Sequence, residues 1–225
     1  MPHAPTLLDD AGNASIATAF MMSHHAFRRD LARFAAALPA VADRNPDKLA
    51  ALREEWTKFA AALHGHHHSE DTGIFPMLAK DHESLRATIE GLTADHHQID
   101  PILERGNRAF GSLPGAGDDA RAVIDELSAL LDPHLAKEET ELVPHLRSMK
   151  GFPPPANAEE EAMYADGFAW SSRGIAPEVL TQVDEMLPDG LRARLPAARA
   201  AFEERWQRVW GPVPAGSATT PIPTR

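Results

Sequence analysis

Apolar residues recur at alternating spacings of three and four positions along four long segments of the chain. This spacing places apolar side chains on one face of an α-helix, so each segment is predicted to form an amphipathic helix. The predicted helices start near Asn13, Asn45, Asp81 and Asp118. Pro39 helps to end the first helix. Because the connections are short, successive helices are predicted to be antiparallel, which gives an all-α, up-down-up-down four-helix bundle.

On each predicted helix, a histidine lies on the same face as the apolar residues. On two of the helices, a glutamate follows that histidine by four residues on the same face. These residues are His24, His66 with Glu70, His96, and His134 with Glu138. A charged side chain in a core is costly unless it is paired or bound to a metal ion. The pattern therefore predicts a buried polar site to which all four helices contribute.

Two of the segments form an internal repeat. Residues 66–76 and 134–144 both contain His-x-x-x-Glu, an acidic residue directly after the glutamate, and a proline further on. The first and third helices match each other around their isolated histidines. The bundle is therefore predicted to consist of two similar helical hairpins, each supplying one isolated histidine and one His-x-x-x-Glu pair.

The residue types in this set indicate a metal site. Residues four apart on a helix share a face, so each His-x-x-x-Glu pair can direct a nitrogen and a carboxylate to one point. The full set offers four imidazoles and two carboxylates, which suits iron, zinc or manganese. Carboxylates from opposite hairpins can bridge two metal ions. Six protein ligands leave positions open on such a pair for water or a small molecule.

Composition excludes several other functions. The formal net charge is −11, with 33 acidic and 22 basic side chains, so nucleic acid and anionic membrane surfaces are not expected as partners. The absence of cysteine excludes disulfides, iron–sulfur clusters and thiolate zinc sites. The N-terminal residues lack the pattern of a secretory signal, and no apolar stretch is long enough to span a membrane. A cytoplasmic location is expected.

The order and spacing of these residues resemble the hemerythrin-like, HHE cation-binding family. The stretches HHHSEDTGIFP and HLAKEETELVP are similar to its two signature segments, and the resemblance covers roughly residues 15–150. It implies a diiron site held by the six residues named above. Oxygen-carrying members have a second histidine on the third helix, where this chain has Asp100, and an aspartate-type ligand where it has Glu138. The chain is thus similar to the sensor and stress-related branch, so reaction with oxygen or peroxide is expected rather than reversible carriage.

The resemblance implies a non-haem diiron protein that binds or reacts with O₂, peroxide or nitric oxide. Whether it is an enzyme is left open, and no catalytic side chain is assigned. The sequence has no flavin or nicotinamide motif, so turnover would need an electron-donor protein or peroxide itself. Two alternatives are iron storage or metal buffering and a peroxide-consuming diiron oxidoreductase. Storage is less expected because the Glu-x-x-His motifs of ferritin-like proteins are missing. A zinc hydrolase would need His-Glu-x-x-His.

Four segments are predicted along the chain. Residues 1–14 form an N-terminal arm, 15–150 the bundle, 151–211 a helical extension that packs on the bundle, and 212–225 a disordered tail. The extension follows a proline-rich linker, Phe152-Pro153-Pro154-Pro155. It is apolar but too short for an independent core of its own.

Three further residues near these positions or in the extension are not assigned as metal ligands. His25 is one position off the stripe and is expected either to face solvent or to hydrogen bond to a ligand. His67 is expected to support the site from outside the ligand set. The sole tyrosine, Tyr164, is assigned an ordinary hydrogen-bond partner in preference to a phenolate bond to metal.

Overall fold

The computed structural model describes residues 6–43, 45–149 and 154–211. In these ranges the chain forms helices and no strand, which confirms the predicted all-α class. The α-helices of these ranges are α1 Ile16–Ala37, α2 Pro46–Ser69, α3 Phe75–Asp81, α4 Arg86–Gly111, α5 Gly117–Glu141, α6 Val143–Leu146, α7 Ala158–Ser172, α8 Pro177–Met186 and α9 Asp189–Trp210. The up-down-up-down order of the bundle stays a prediction. None of the described helices is long and apolar enough to cross a membrane.

The helix starts follow local capping chemistry. The side chain of Asn45 accepts a hydrogen bond from the Lys48 amide at 2.9 Å, and proline occupies the first position of α2, so this helix starts next to Asn45. The long helix that was predicted to begin near Asp81 begins instead at Arg86. The reason is that the preceding helix continues through a π-helical turn, Glu70–Ile74, into α3, which ends only at Asp81.

The chain divides into two compact units. The first comprises Met1–Arg29, Leu142–Gln207 and Gly211–Arg225, and the second comprises Asp30–Glu141 and Arg208–Trp210. The predicted segment boundaries stay predictions. Part of the predicted linker, residues 152–153, and the predicted tail, residues 212–225, lie outside the described residues.

An aromatic cluster forms the core of the second unit at some distance from the histidines. The indole of Trp56 stacks on Phe110 at 4.4 Å between centroids, and Phe34 meets Phe110 edge-on at 5.2 Å. The indole N–H of Trp56 donates to Asn107 at 2.8 Å. Trp56 precedes His66 on α2 by about 15 Å at 1.5 Å per residue. This packing therefore fixes the register of α2 against α4, which both carry predicted ligands.

A buried arginine organises the first unit. Arg29, near the middle of α1, is buried and donates hydrogen bonds to the carbonyl oxygens of Trp170 at 3.0 Å and Arg173 at 3.1 Å. Its guanidinium also lies over the Trp206 ring at 5.0 Å. Within this unit the C-terminal helices are thus tied to α1.

Tyr164 lies in the same unit, on α7. Its hydroxyl donates to Glu160 at 2.7 Å, which is the kind of ordinary partner that the sequence favoured. The ring packs beside a small apolar cluster of Ala165, Leu187, Leu191 and Leu195. Nothing in this environment points to a metal bond from Tyr164.

Candidate metal centre

The second unit brings together five of the six predicted ligands. These are His66 and Glu70 from the α2 segment, His96 from α4, and His134 and Glu138 from α5. The sixth, His24, lies on α1 in the first unit, where it is fully buried with its ring 4.4 Å from that of Phe20. Its bond to the same site stays a prediction from the sequence.

The carboxylate of Glu70 lies between histidines of two different helices. Its Oε1 is 3.0 Å from Nε2 of His66, and its Oε2 is 3.4 Å from Nε2 of His96. The side chain is 0% exposed. Each oxygen of one carboxylate therefore has its own imidazole neighbour, which is the arrangement that a carboxylate shared by two cations requires.

The second His-x-x-x-Glu pair repeats this local geometry on α5. Nε2 of His134 is 3.3 Å from Oε1 of Glu138, and both side chains are fully buried. Donor atoms of His66, Glu70 and Glu138 lie within 4.8 Å of one another. The internal repeat of the sequence thus corresponds to two similar His–Glu pairs in one region of the second unit.

Two aspartates hold histidines of the site from outside. Nδ1–H of His96 donates to the carboxylate of Asp71, whose two oxygens lie at 3.1 and 3.0 Å. Nδ1–H of His134 donates to Asp95 at 3.3 Å. A proton on Nδ1 leaves the lone pair on Nε2, so both rings are set in the tautomer that binds a cation through Nε2.

Burial disfavours the charged forms of several side chains in the site. Burial raises the pKa of Glu70 to about 8, and it lowers the pKa of His66 to about 4. Burial also lowers the pKa of His96. For His134 burial alone would lower the pKa, but the neighbouring carboxylates, chiefly that of Glu138, outweigh it and raise the pKa. A bound cation would compensate the carboxylates and be bound by the neutral imidazoles.

The residues present fit a metal ion. Among the described residues, Nε2 of His96, Nε2 of His134 and both oxygens of Glu70 are buried without a hydrogen bond of good geometry. A buried polar atom left in this way costs free energy unless some partner satisfies it. Nitrogen and carboxylate donors without thiolate match iron, zinc or manganese, as predicted.

The sequence pattern placed His67 outside the ligand set, but in the structure it lies among the predicted ligands. It is buried, and it forms a group with Glu70, His96 and His134 whose donor atoms lie within 4.8 Å of one another. The signal in the sequence was its spacing. His67 precedes Glu70 by three residues, so the two are neighbours on a helix just as His66 and Glu70 are.

The π-helical turn has a local cause in the sequence. The amide of Phe75 donates to the carbonyl of Glu70, five residues earlier, so the turn is one residue wider than an α-helical turn. Pro76 follows directly. A proline ring clashes with the carbonyl four residues before it in a regular helix, and a wider turn relieves that clash. The turn thus begins at Glu70 itself, and π turns of this kind are frequent at functional sites.

His25 is buried, whereas Asp100 is exposed. His25 is 6% exposed, so the alternative that it faces solvent is wrong. Its helix is packed on more than one side, which a single apolar stripe does not reveal. Asp100 is exposed and lies 3.4 Å from the exposed His64. It therefore supplies no ligand to the buried group.

Comparison with known proteins agrees with the site. A family model described as the hemerythrin HHE cation binding domain matches residues 15–146, which is more than half of the chain and includes all six predicted ligands. No curated protein and no solved structure matches the chain. The match confirms the resemblance that the two signature segments indicated, and the chain belongs to the hemerythrin HHE cation-binding family.

Proposed function

We propose that the protein holds two iron ions and that this pair binds or reacts with O₂, peroxide or nitric oxide, in sensing or in the response to oxidative or nitrosative stress. The proposed ligands are His24, His66, Glu70, His96, His134 and Glu138. An iron pair supplies open coordination positions and a reversible change of oxidation state when it is bound. The expected ligand of these open positions is O₂, peroxide or nitric oxide.

The observation that carries the proposal is the position of Glu70. One buried carboxylate has its two oxygens beside imidazoles of two different helices, at 3.0 Å from His66 and 3.4 Å from His96. A carboxylate serving a single ion would need only one of these neighbours. The shared position supports two ions joined by this side chain, with Glu138 as the second candidate bridge.

The other side chains orient the ligands and limit access of water. Asp71 and Asp95 hold two imidazoles with Nε2 free to bind. Phe75 packs nearly parallel to the His96 ring, with 5.5 Å between centroids. Part of the wall of the site is therefore apolar, as is usual for the binding site of a small ligand.

The dinuclear proposal is tested by metal content. Metal-free protein is reconstituted anaerobically with ferrous iron, desalted and analysed. We expect two iron ions per chain in the wild-type protein, and fewer in Glu70→Ala and Glu138→Ala. One ion per chain, unchanged by either substitution, contradicts the proposal. Many ions per chain would instead favour iron storage.

The reaction is tested separately by stopped-flow mixing of the reduced protein with oxygen, followed by removal of the gas. We expect oxidation that is not reversed when the gas is removed, because Asp100 stands where a carrier has an additional histidine, which leaves one ion with fewer nitrogen ligands. Return of the reduced spectrum without added reductant would identify a carrier. Consumption of peroxide that is lost in His134→Ala would favour an enzyme over a sensor. The proposed partner of such an enzyme is an electron-donor protein.

A further inference from the structure

His67 is one position away from the apolar stripe of α2, but it belongs to a compact group of metal-donor side chains. Its ring centroid is 4.0 Å from that of His96 and 5.5 Å from that of His134. One donor atom from each of these histidines and one from Glu70 lie within 4.8 Å of one another. Ligands that share one ion through bonds of about 2.0–2.2 Å are separated by at most about 4.4 Å. The group is therefore close in size to a coordination sphere.

The two neighbouring histidines of α2 stand in different relations to Glu70. His66 precedes it by four residues and His67 by three, and both spacings make neighbours on a helix. Oε1 of Glu70 is beside His66, whereas Oε2 is beside His96, on which the ring of His67 is stacked. His66 therefore lies beside one oxygen of the carboxylate, and the other oxygen lies beside the imidazole on which His67 is stacked.

The helix α4 supplies one imidazole, that of His96, to this group. In oxygen-carrying relatives, a second histidine stands at the position of Asp100. Here Asp100 is exposed and paired with the exposed His64 at 3.4 Å. A third imidazole for the group of His96 and His134 is thus missing from α4, but a buried imidazole reaches the same group from α2.

We infer that His67 is a ligand of the metal ion that His96, His134 and Glu70 hold. The inference rests on the proposed function, because it adds a ligand to the same two-metal site. It makes the two ions unequal, since one position has three imidazoles and the other is served by His66, Glu138 and the proposed ligand His24. It also removes the argument that Asp100 leaves this ion one imidazole short, so the stopped-flow experiment alone decides between reaction and carriage.

The alternative to a ligand role is that His67 only supports the site by stacking on the ring of His96. The rings of His67 and His96 are 12° from parallel. The lone pair of an imidazole nitrogen lies in the plane of its ring, so two stacked rings do not direct lone pairs at one point. As a ligand, His67 turns out of the stack when the ion binds, whereas as a support it stays. Phenylalanine keeps an aromatic ring and removes the nitrogen, so His67→Phe separates the two roles.

The experiment is a titration of metal-free, full-length protein with Co²⁺ against a competing chelator, with the visible spectrum recorded at each step. We expect His67→Phe and His67→Gln to weaken the binding of one of two ions by more than about 100-fold, beyond the 10–100-fold typical of an outer partner. The band of that ion is lost or shifted. His67→Glu restores a donor and recovers the second ion. His68→Phe, at the exposed next position, is the matched control and binds both.

Several results overturn the inference. A His67→Phe protein with wild-type affinity and spectrum for both ions leaves His67 as a stacking residue only. If circular dichroism shows that His67→Phe does not fold, the same result in His67→Gln is decisive. Failure of His67→Glu to recover the second ion also overturns it. Uptake of fewer than two ions by the wild-type protein contradicts the proposed function instead, before any variant is compared.

Discussion

Removal of the Asp71 carboxylate should weaken metal binding without unfolding the protein. In the structure both oxygens of Asp71 are within 3.1 Å of Nδ1 of His96, and one also accepts a hydrogen bond from Thr93 at 3.2 Å. Partners of this kind contribute about 10–100-fold to metal affinity, or roughly 1.4–2.7 kcal/mol. The Asp71 side chain is 33% exposed, so water can replace part of the contact.

A second effect reduces the expected loss. The charge of Asp71 contributes to the raised pKa of Glu70, so Asp71→Ala makes Glu70 easier to ionise and favours the cation. We therefore expect a loss of affinity of about 10–30-fold, in the lower part of the range. Asp95→Ala should cost less, because its single hydrogen bond to His134 is longer, at 3.3 Å.

The assay is the chelator competition described above, with thermal unfolding of each metal-free variant to compare folding. Asp100→Ala is the matched control, since it removes the same charge from an exposed position that has no contact with the buried group. Wild-type affinity in Asp71→Ala, with the same result in Asp100→Ala, would refute the idea that an orienting carboxylate contributes to binding.

Two further predictions concern stability and are measured by chemical denaturation. Gly106→Ala should destabilise the protein by about 1–3 kcal/mol, because a Cβ there would overlap the indole of Trp56. Gly65→Ala, in an open position of α2, should instead raise stability by about 0.5–1 kcal/mol. Equal effects would contradict this packing. Arg29→Lys should cost about 1–3 kcal/mol, since a lysine cannot donate to both carbonyls and lie flat on an indole. The exposed Arg192→Lys should change stability by less than about 0.5 kcal/mol, and a comparable loss there would exclude a special role for Arg29.

The sequence alone determined the helical class and the positions of the histidine–glutamate pairs. The reason is that the helical period is fixed by the backbone, so a stripe of apolar residues specifies which polar residues join it. His66 with Glu70 and His134 with Glu138 follow from this spacing, and the structure brings both pairs together in the second unit. The same rule predicts that His24 joins them.

Only the tertiary structure identified the partners that complete the site. Asp71 and His96 are 25 residues apart, and Asp95 and His134 are 39 apart. Their contacts depend on how each helix is rotated about its axis against its neighbour, which no local pattern encodes.

His67 shows the same limit within a single helix. It lies about 100° around the helix axis from His66, so stripe counting assigns it to another face. Around the helix axis, Glu70 lies between His66 and His67. His67 is therefore in the interior, in one group with Glu70, His96 of α4 and His134 of α5. Periodicity determines which residues share a face of one helix, whereas helix packing decides how wide the buried face is and therefore which additional side chain joins the group of donors.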